Sequence, residues 1–210
     1  MSLGRTLVLG LTGSIGMGKS TAAGMLARLG VPVFAADAFV HDLLGPGGAA
    51  VAAVTEAFPG TADKDTGGVS RAALGHAVFG DAAALARLEA ILHPRVRAAE
   101  QAFIHRQALL RRRVCALEIP LLFETQAEDL CDVVVVLTAP PFVQAARVLA
   151  RPGMTPARLD AIRQRQMSEA EKTVRADFCV ATGLGRRHTW RALRAIVAHL
   201  TGKDDGADHA

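Results

Sequence analysis

Residues Gly13-Ser14-Ile15-Gly16-Met17-Gly18-Lys19-Ser20 satisfy the pattern GxxxxGK[ST], and no other feature of the chain restricts its fold as strongly. The run is preceded by Leu7-Val8-Leu9-Gly10-Leu11-Thr12, an unbroken apolar stretch that suits a strand covered on both faces. After it, Ala22, Met25, Leu26 and Leu29 recur at helical spacing, which predicts a helix from Ser20 to Leu29 that Gly30 stops. A strand, a glycine-rich turn and a helix start, in that order, make an anion cradle. Glycines let backbone N–H groups turn inward around a phosphate, and the helix points its positive end at the same anion. Lys19 adds a formal charge for the β and γ phosphates, and the Ser20 hydroxyl can ligate Mg²⁺. Gly13, Ser14, Gly16, Met17, Gly18, Lys19, Ser20 and Thr21 are therefore the expected nucleoside triphosphate site. A chance glycine-rich turn is the plain alternative, and the flanking elements argue against it.

An extended segment is expected at Val31 to Phe34, further buried-type strands at Val114 to Ile119 and Val133 to Leu137, and a last short strand at Phe178 to Val180. Helices are expected over Asp37 to Leu44, Ala82 to Leu92 with Asp81 as cap, and from beyond a break at His93-Pro94 to about Leu110. Later helices are expected over Phe142 to Ala150, Pro156 to Gln166, Glu169 to Arg175 and Thr189 to Leu200, with Thr155 and Ser168 as start signals. Asp63 to Ser70 reads as a polar loop, and residues 202–210 as a loose tail. Strands alternating with helices imply an α/β fold, a P-loop NTPase-type parallel sheet flanked by helices with right-handed crossovers.

With 210 residues, half of them apolar and only 21% charged, the chain can bury a core and is not of the disordered class. No apolar run approaches the ~20 residues of a membrane span, and no export signal is evident, so a soluble, cytoplasmic protein without a membrane partner is expected. Cys115, Cys131 and Cys179 lie in apolar stretches without metal-ligand spacing and read as buried reduced thiols. The net charge of +4 hides an asymmetry: Arg147 to Arg194 carries ten Arg and one Lys against four acidic residues, a local +7 on a body of −3. Such a segment suits one anionic ligand better than a general polyanion surface. With no Tyr and Trp190 alone, stacking platforms for single-stranded bases are scarce, which argues against nucleic acid as partner.

A P-loop leaves several nucleotide-dependent classes open. After Val133 to Leu137 stands Thr138-Ala139-Pro140-Pro141 rather than the Asn-Lys-x-Asp element of a GTPase, and no acidic pair of a motor ATPase is evident. What remains is a short P-loop chain whose Arg-rich segment suits a lid over ATP, because Arg forks onto phosphate oxygens. If the helix that starts at Phe142 continues, Arg147 and Arg151 share one face and can approach the transferring phosphoryl group. A solvated basic face is the bland reading of these arginines. Asp37 follows the second strand, where parallel sheets open onto their ligand crevice, and could accept a proton from an alcohol; helix capping is the alternative. Glu118 ends the third strand and could hold a water on Mg²⁺, or pair locally. Arg111-Arg112-Arg113 reads as a solvated end to a helix dipole.

Leu11-Thr12-Gly13 through Lys19-Ser20-Thr21, Ala36-Asp37, Leu92-His93-Pro94, Ile119-Pro120-Leu121-Leu122-Phe123-Glu124 and Ala176-Asp177, in this order, resemble the dephospho-CoA kinase family over about residues 6–185. The resemblance implies transfer of the ATP γ-phosphoryl to the ribose 3′-hydroxyl of dephospho-CoA, with Mg²⁺ as cofactor, in the last step of coenzyme A biosynthesis. It implies a nucleotide-binding core of residues 1–36, 111–146 and 176–201, a helical acceptor-binding region of residues 37–110 and a lid of residues 147–175. Asp37 matches the catalytic aspartate, Lys19 the P-loop lysine and Arg147 a lid arginine; Arg151 is counted with the ATP site. Thr12, Asp37, Arg71, His93 and Pro120 are counted with the acceptor site, and Ser20, with Glu118 through water, with the metal. Two departures stand out. Ala35 occupies a position where many members have Asp, and Ala181-Thr182-Gly183-Leu184-Gly185 replaces an Asp-Asn-x-Gly segment near the adenine. A P-loop kinase of another small alcohol or nucleoside is the alternative, followed by a non-catalytic, nucleotide-dependent RNA-binding module. A monomer or small homo-oligomer is expected.

Overall fold

The structure is a computed structural model that describes residues 5–202. Five strands, β1 (Leu7–Thr12), β2 (Val33–Ala35), β3 (Val114–Glu118), β4 (Val133–Thr138) and β5 (Phe178–Ala181), form one parallel sheet in the order β2-β3-β1-β4-β5. The unbroken apolar run of β1 is explained by its central place, between β3 and β4, with Val8, Leu9 and Leu11 buried. Two aspartates set the strand starts. The Asp132 carboxylate accepts the Val8 N–H at 2.9 Å while its own N–H donates to the Val8 carbonyl at 2.9 Å. Asp177 does the same for Val134, accepting at 2.7 Å and donating at 3.0 Å, so each carboxylate closes a backbone donor that the ladder leaves open.

The chain divides into two compact units, one of residues up to Ala35 together with those from Phe103 on, the other from Ala36 to Ala102. In the sheet unit, α1 (Lys19–Arg28) and α9 (Arg186–Thr201) pack on each other, and Met25, Leu26, Leu193 and Ile196 share a buried cluster with Leu9, Leu11, Leu137 and Val180. The same unit carries α6 (Pro141–Leu149), α7 (Pro156–Arg165) and α8 (Glu169–Arg175). Both expected start signals cap: Thr155 accepts from the Arg158 N–H, and Ser168 forms a reciprocal capping box with Glu171.

The second unit is helical. It comprises α2 (Ala36–Leu44), α3 (Val51–Ala57), α4 (Arg71–Val78) and most of α5 (Ala82–Leu109). Leu43, Leu44, Val54, Phe58, Leu74, Leu88 and Leu92 form its own core. Two of these helices, α3 and α4, have seven and eight residues and were not legible as periodic segments, being too short to repeat a pattern twice. Gly48 shapes the turn before α3: a Cβ there would collide with the carbonyl oxygens of Asp42 and Leu43.

The expected break at His93-Pro94 is corrected. Helix α5 runs unbroken through Pro94 for 28 residues. The proline removes one N–H, but Leu88 and Leu92 before it and Val96 after it enter the same apolar cluster, so a break would expose that face. Arg95 reaches back to donate to the Ile91 carbonyl at 2.6 Å, one residue from the Ala90 carbonyl that the proline leaves open. The cysteine expectation is corrected in part: Cys115 is buried, Cys131 half-buried and Cys179 exposed, because β5 is an edge strand and its outward residues face solvent. No helix among the described residues is long and apolar enough to cross a membrane. The tail beyond Gly202 lies outside the described residues.

Replacing Pro94 by Ala should restore one helix hydrogen bond and stabilise the protein by about 1–3 kcal/mol, read as a higher urea midpoint. Burial, reinforced by the Asp132 carboxylate, pushes the Cys115 thiol up to about 11. At pH 8 a thiol-disulfide reagent should therefore modify Cys179 rapidly and Cys115 only after denaturant is added, which a timed labelling experiment with peptide mapping resolves.

Candidate active site

Strand β1 delivers the chain to Gly13 at the carboxyl end of the sheet. Gly13 has φ 146°, and a Cβ on it would lie 2.6 Å from the Leu137 carbonyl oxygen. Gly16 has φ 79°, and its Cβ would meet Val148 Cγ2 at 2.7 Å, so neither position accepts a larger residue without displacing a neighbour. Helix α1 then starts at Lys19 behind Gly18, with no side-chain cap and no acidic residue in its first turn. Its first amides have no intrahelical acceptor, which leaves them for an anion. The Lys19 ammonium turns back over the loop and donates to the carbonyls of Gly13 at 2.7 Å and Ser14 at 3.1 Å. Ser14 and Met17 are buried, Met17 in the main core, so what Met17 offers a ligand is backbone alone. Thr21 is exposed on the first turn of α1.

The Ser20 hydroxyl donates to Glu118 Oε1 at 3.2 Å. Glu118 is the last residue of β3, in register with Leu11 on one side and Ala35 on the other, and it is buried. A hydroxyl beside a buried carboxylate is an oxygen pair suited to a hard divalent cation. Among the described residues no group of three His, Cys, Asp or Glu could hold a metal by itself, so such a cation would need phosphate and water oxygens for most of its shell. Beside this pair, the Thr12 hydroxyl donates to the Pro120 carbonyl at 3.3 Å and joins the end of β1 to the segment after β3.

Arg147 and Arg151 do not share a helix face. Helix α6 stops at Leu149, and Arg151 lies on the bend beyond, exposed. Arg147 instead donates to the Gly16 carbonyl at 3.3 Å, to Thr182 Oγ1 at 2.9 Å and to the Thr182 carbonyl at 2.9 Å. Thr182 opens the short 3-10 turn after β5, and its buried hydroxyl lies 3.0 Å from the Met17 carbonyl and 3.1 Å from the Thr138 carbonyl. Arg147 and Thr182 thus fasten the phosphate loop, at Gly16 and Met17, to the segment Ala181 to Gly185 that follows β5. Thr182 stood out in the sequence only as part of a departing segment, and Gln144 and Gln166, which bond Ile15, went unmarked. The available signal was a polar residue inside an otherwise apolar stretch, as Gln144 is in α6.

The second unit carries the remaining candidates. Asp37 is the second residue of α2, two positions after Ala35 in β2, and is exposed in the first turn, where a carboxylate favours the helix dipole. Arg71 is the first residue of α4, behind the Ser70 cap, and His93 is exposed on α5. The basic segment of residues 147–194 is not one surface. Its arginines are spread over α6 to α9, and several are committed: Arg175 pairs with Glu128 and lies 4.6 Å over the Phe123 ring. At the amino end of β3, Arg111, Arg112, Arg113 and Arg194 line a cleft of about 530 Å³ with Gly30, Val114 and Thr201. The carboxyl ends of α1, α5 and α9 meet there, and Arg113, donating to the Thr201 carbonyl at 2.7 Å, answers the dipole of α9.

A sequence profile of dephospho-CoA kinases matches residues 7–184. The chain belongs to the dephospho-CoA kinase family. The dephospho-CoA kinase of Paramagnetospirillum magneticum is 59% identical over 200 residues, covering 95% of this chain and 93% of that one. That of Rhodospirillum rubrum is 59% identical over 189 residues, covering 90% and 89%. Among solved structures, TT1252 from Thermus thermophilus superposes with a TM-score of 0.78 at 32% identity, covering 94% of this chain and all of that one. The Campylobacter jejuni dephospho-CoA kinase shares the fold, with a TM-score of 0.64 at 21% identity over 95% of this chain and 98% of that one. The P-loop kinase architecture expected from the sequence is therefore the architecture present.

Thr182→Val should remove both the single hydroxyl proton shared by the Met17 and Thr138 carbonyls and the oxygen that accepts from Arg147, and cost about 1–3 kcal/mol in urea unfolding, with weaker ADP binding by calorimetry. Thr182→Ser should keep both near the parent values.

Proposed function

We propose that the protein transfers the γ-phosphoryl group of ATP to the ribose 3′-hydroxyl of dephospho-CoA, giving CoA and ADP in the cytoplasm as the last step of coenzyme A biosynthesis. The observation that carries this reading is the loop from Gly13 to Ser20, with Lys19 folded over it and Ser20 bonded to a buried Glu118, in a chain of this family. A nucleoside triphosphate would lay its β and γ phosphates on the first-turn amides of α1. Lys19 would exchange the carbonyls of Gly13 and Ser14 for phosphate oxygens, a short swing for a long side chain. Ser20, and Glu118 through water, would hold Mg²⁺, which when bound supplies charge neutralisation at the phosphates.

Asp37 is the proposed base. Its carboxylate accepts the proton of the acceptor hydroxyl as the new bond to phosphorus forms and the bond to the ADP oxygen breaks. Arg71 and His93, both exposed in the helical unit, are proposed to bind the phosphates of the acceptor, and Thr12 and Pro120 to border it. Residues 147–175 are proposed as the lid, with Arg147 and Arg151 on its ATP side. Exclusion of water is what a lid contributes to such a transfer, since water competes with the alcohol for the phosphoryl group.

Incubation with ATP, Mg²⁺ and dephospho-CoA should yield CoA and ADP in equal amounts, followed by chromatography. Asp37→Asn should lower kcat by about 100-fold or more while leaving the Kd for ADP within about threefold. Absence of CoA from folded protein, or full activity of the Asn variant, would sink the assignment.

A further inference from the structure

Ile15, at the tip of the phosphate loop, has both of its backbone polar groups taken by side chains from the helices that follow β4. Its N–H donates to Gln166 Oε1 at 3.1 Å, and its carbonyl accepts from Gln144 Nε2 at 2.9 Å. Gln144 lies on α6 and is 5% exposed. Its oxygen accepts two bonds from Arg163 on α7, from Nε at 3.1 Å and from Nη2 at 2.8 Å. That fork decides the orientation of the amide: only with the oxygen toward the guanidinium can the NH₂ face the Ile15 carbonyl. Gln166 directly follows α7, and its neighbour Met167 donates its N–H to Glu124 Oε1 at 2.8 Å. The same oxygen pairs at 3.0 Å with Lys172, whose side chain is wholly buried. A continuous chain of bonds therefore runs from the segment after β3, through the α7–α8 junction, to the phosphate loop.

The Ile15 amide is committed to Gln166 and so is not a phosphate donor in this arrangement. Its effect on the cradle is geometric. In a trans peptide the carbonyl and the next N–H point in opposite directions. By holding the Ile15 carbonyl toward α6, Gln144 turns the Gly16 N–H away from α6, and Gly16, with φ 79°, is the next joint of the loop. We propose that Gln144, Arg163 and Gln166 form a clasp that fixes the Ile15 peptide groups and thereby sets the phosphate loop in its binding shape. They are positioning residues: Gln144 and Gln166 touch the loop, and Arg163 acts through Gln144. The seating of α6 and α7 and the readiness of the cradle are then one event, since the clasp closes only when both helices are in place.

The two glutamines use opposite chemistry on Ile15, which gives the test its discrimination. Gln166 only accepts, so Gln166→Glu keeps the bond while Gln166→Ala deletes it. Gln144 must donate, so Gln144→Glu sets a carboxylate oxygen against the Ile15 carbonyl although it strengthens the contact to Arg163. The proposal rests on the phosphate-loop part of the kinase reading, and ADP binding reads it without acceptor or turnover. Calorimetry with ADP and Mg²⁺ on the full chain should show Kd raised roughly tenfold in Gln166→Ala and in Gln144→Glu, about the worth of one lost hydrogen bond, and rescued to within about twofold in Gln166→Glu. Hydrogen exchange at the Ile15 amide should speed up in Gln166→Ala and not in Gln166→Glu. Equal Kd values in all variants, or equal losses in Gln166→Glu and Gln166→Ala, overturn the clasp. A lowered melting temperature with unchanged Kd also overturns it, because that is the signature of a merely structural contact. If the pattern holds while no CoA is formed, the clasp stands and the acceptor assignment falls.

Discussion

The hold that β3 and β4 exert on β1 is the constraint from which the rest of the phosphate site follows. A central parallel strand must be apolar on both faces, and its carboxyl end can carry only what fits between its neighbours. Gly13 leaves that end with no room for a side chain under the Leu137 carbonyl, and Met17 drops back into the core beside Leu137. The loop between them is pinned at both ends by packing before any ligand is considered. What it presents outward is backbone, and at α1 backbone donors without internal partners.

Onto this frame the chain adds polar ties that come from far along the sequence. Thr182 and Arg147 secure the carbonyls of Met17 and Gly16, Gln144 and Gln166 secure Ile15, and Glu118 secures Ser20. Most join a buried or half-buried group to a loop that has no regular secondary structure of its own, and the Glu118 bond reaches the first turn of α1 just beyond it. In such surroundings an unmade hydrogen bond is costly, so these ties limit the loop to few shapes. The phosphate loop and the helix start that carries Lys19 and Ser20 are therefore held by side chains from far along the chain.

The sheet, its order of elements and the capped starts of α7 and α8 were legible because they depend on periodicity and on local signals within a few residues. Helix α5 shows where that logic stops. His93-Pro94 is a local break signal, yet the apolar face on both sides of it outweighs the lost hydrogen bond. Arg147 shows a second limit: spacing suggested a shared face with Arg151, but the helix ends between them, and the guanidinium finds Thr182 instead. The summed charge of the segment from Arg147 to Arg194 likewise says nothing of placement, since its arginines are distributed over α6 to α9 and the bend after α6.

From the order of residues alone came the phosphate loop, the class of fold and the family, because glycine placement, a lysine and a strand-to-helix transition carry their chemistry within one short run. The pairing of Ser20 with Glu118, the bracket of Thr182 and Arg147 and the clasp on Ile15 were decided only by tertiary structure. Each joins groups from well-separated parts of the chain. Hydrogen bonds of that kind leave no periodic trace, since either partner alone is an ordinary polar residue until folding brings the two within about 3 Å.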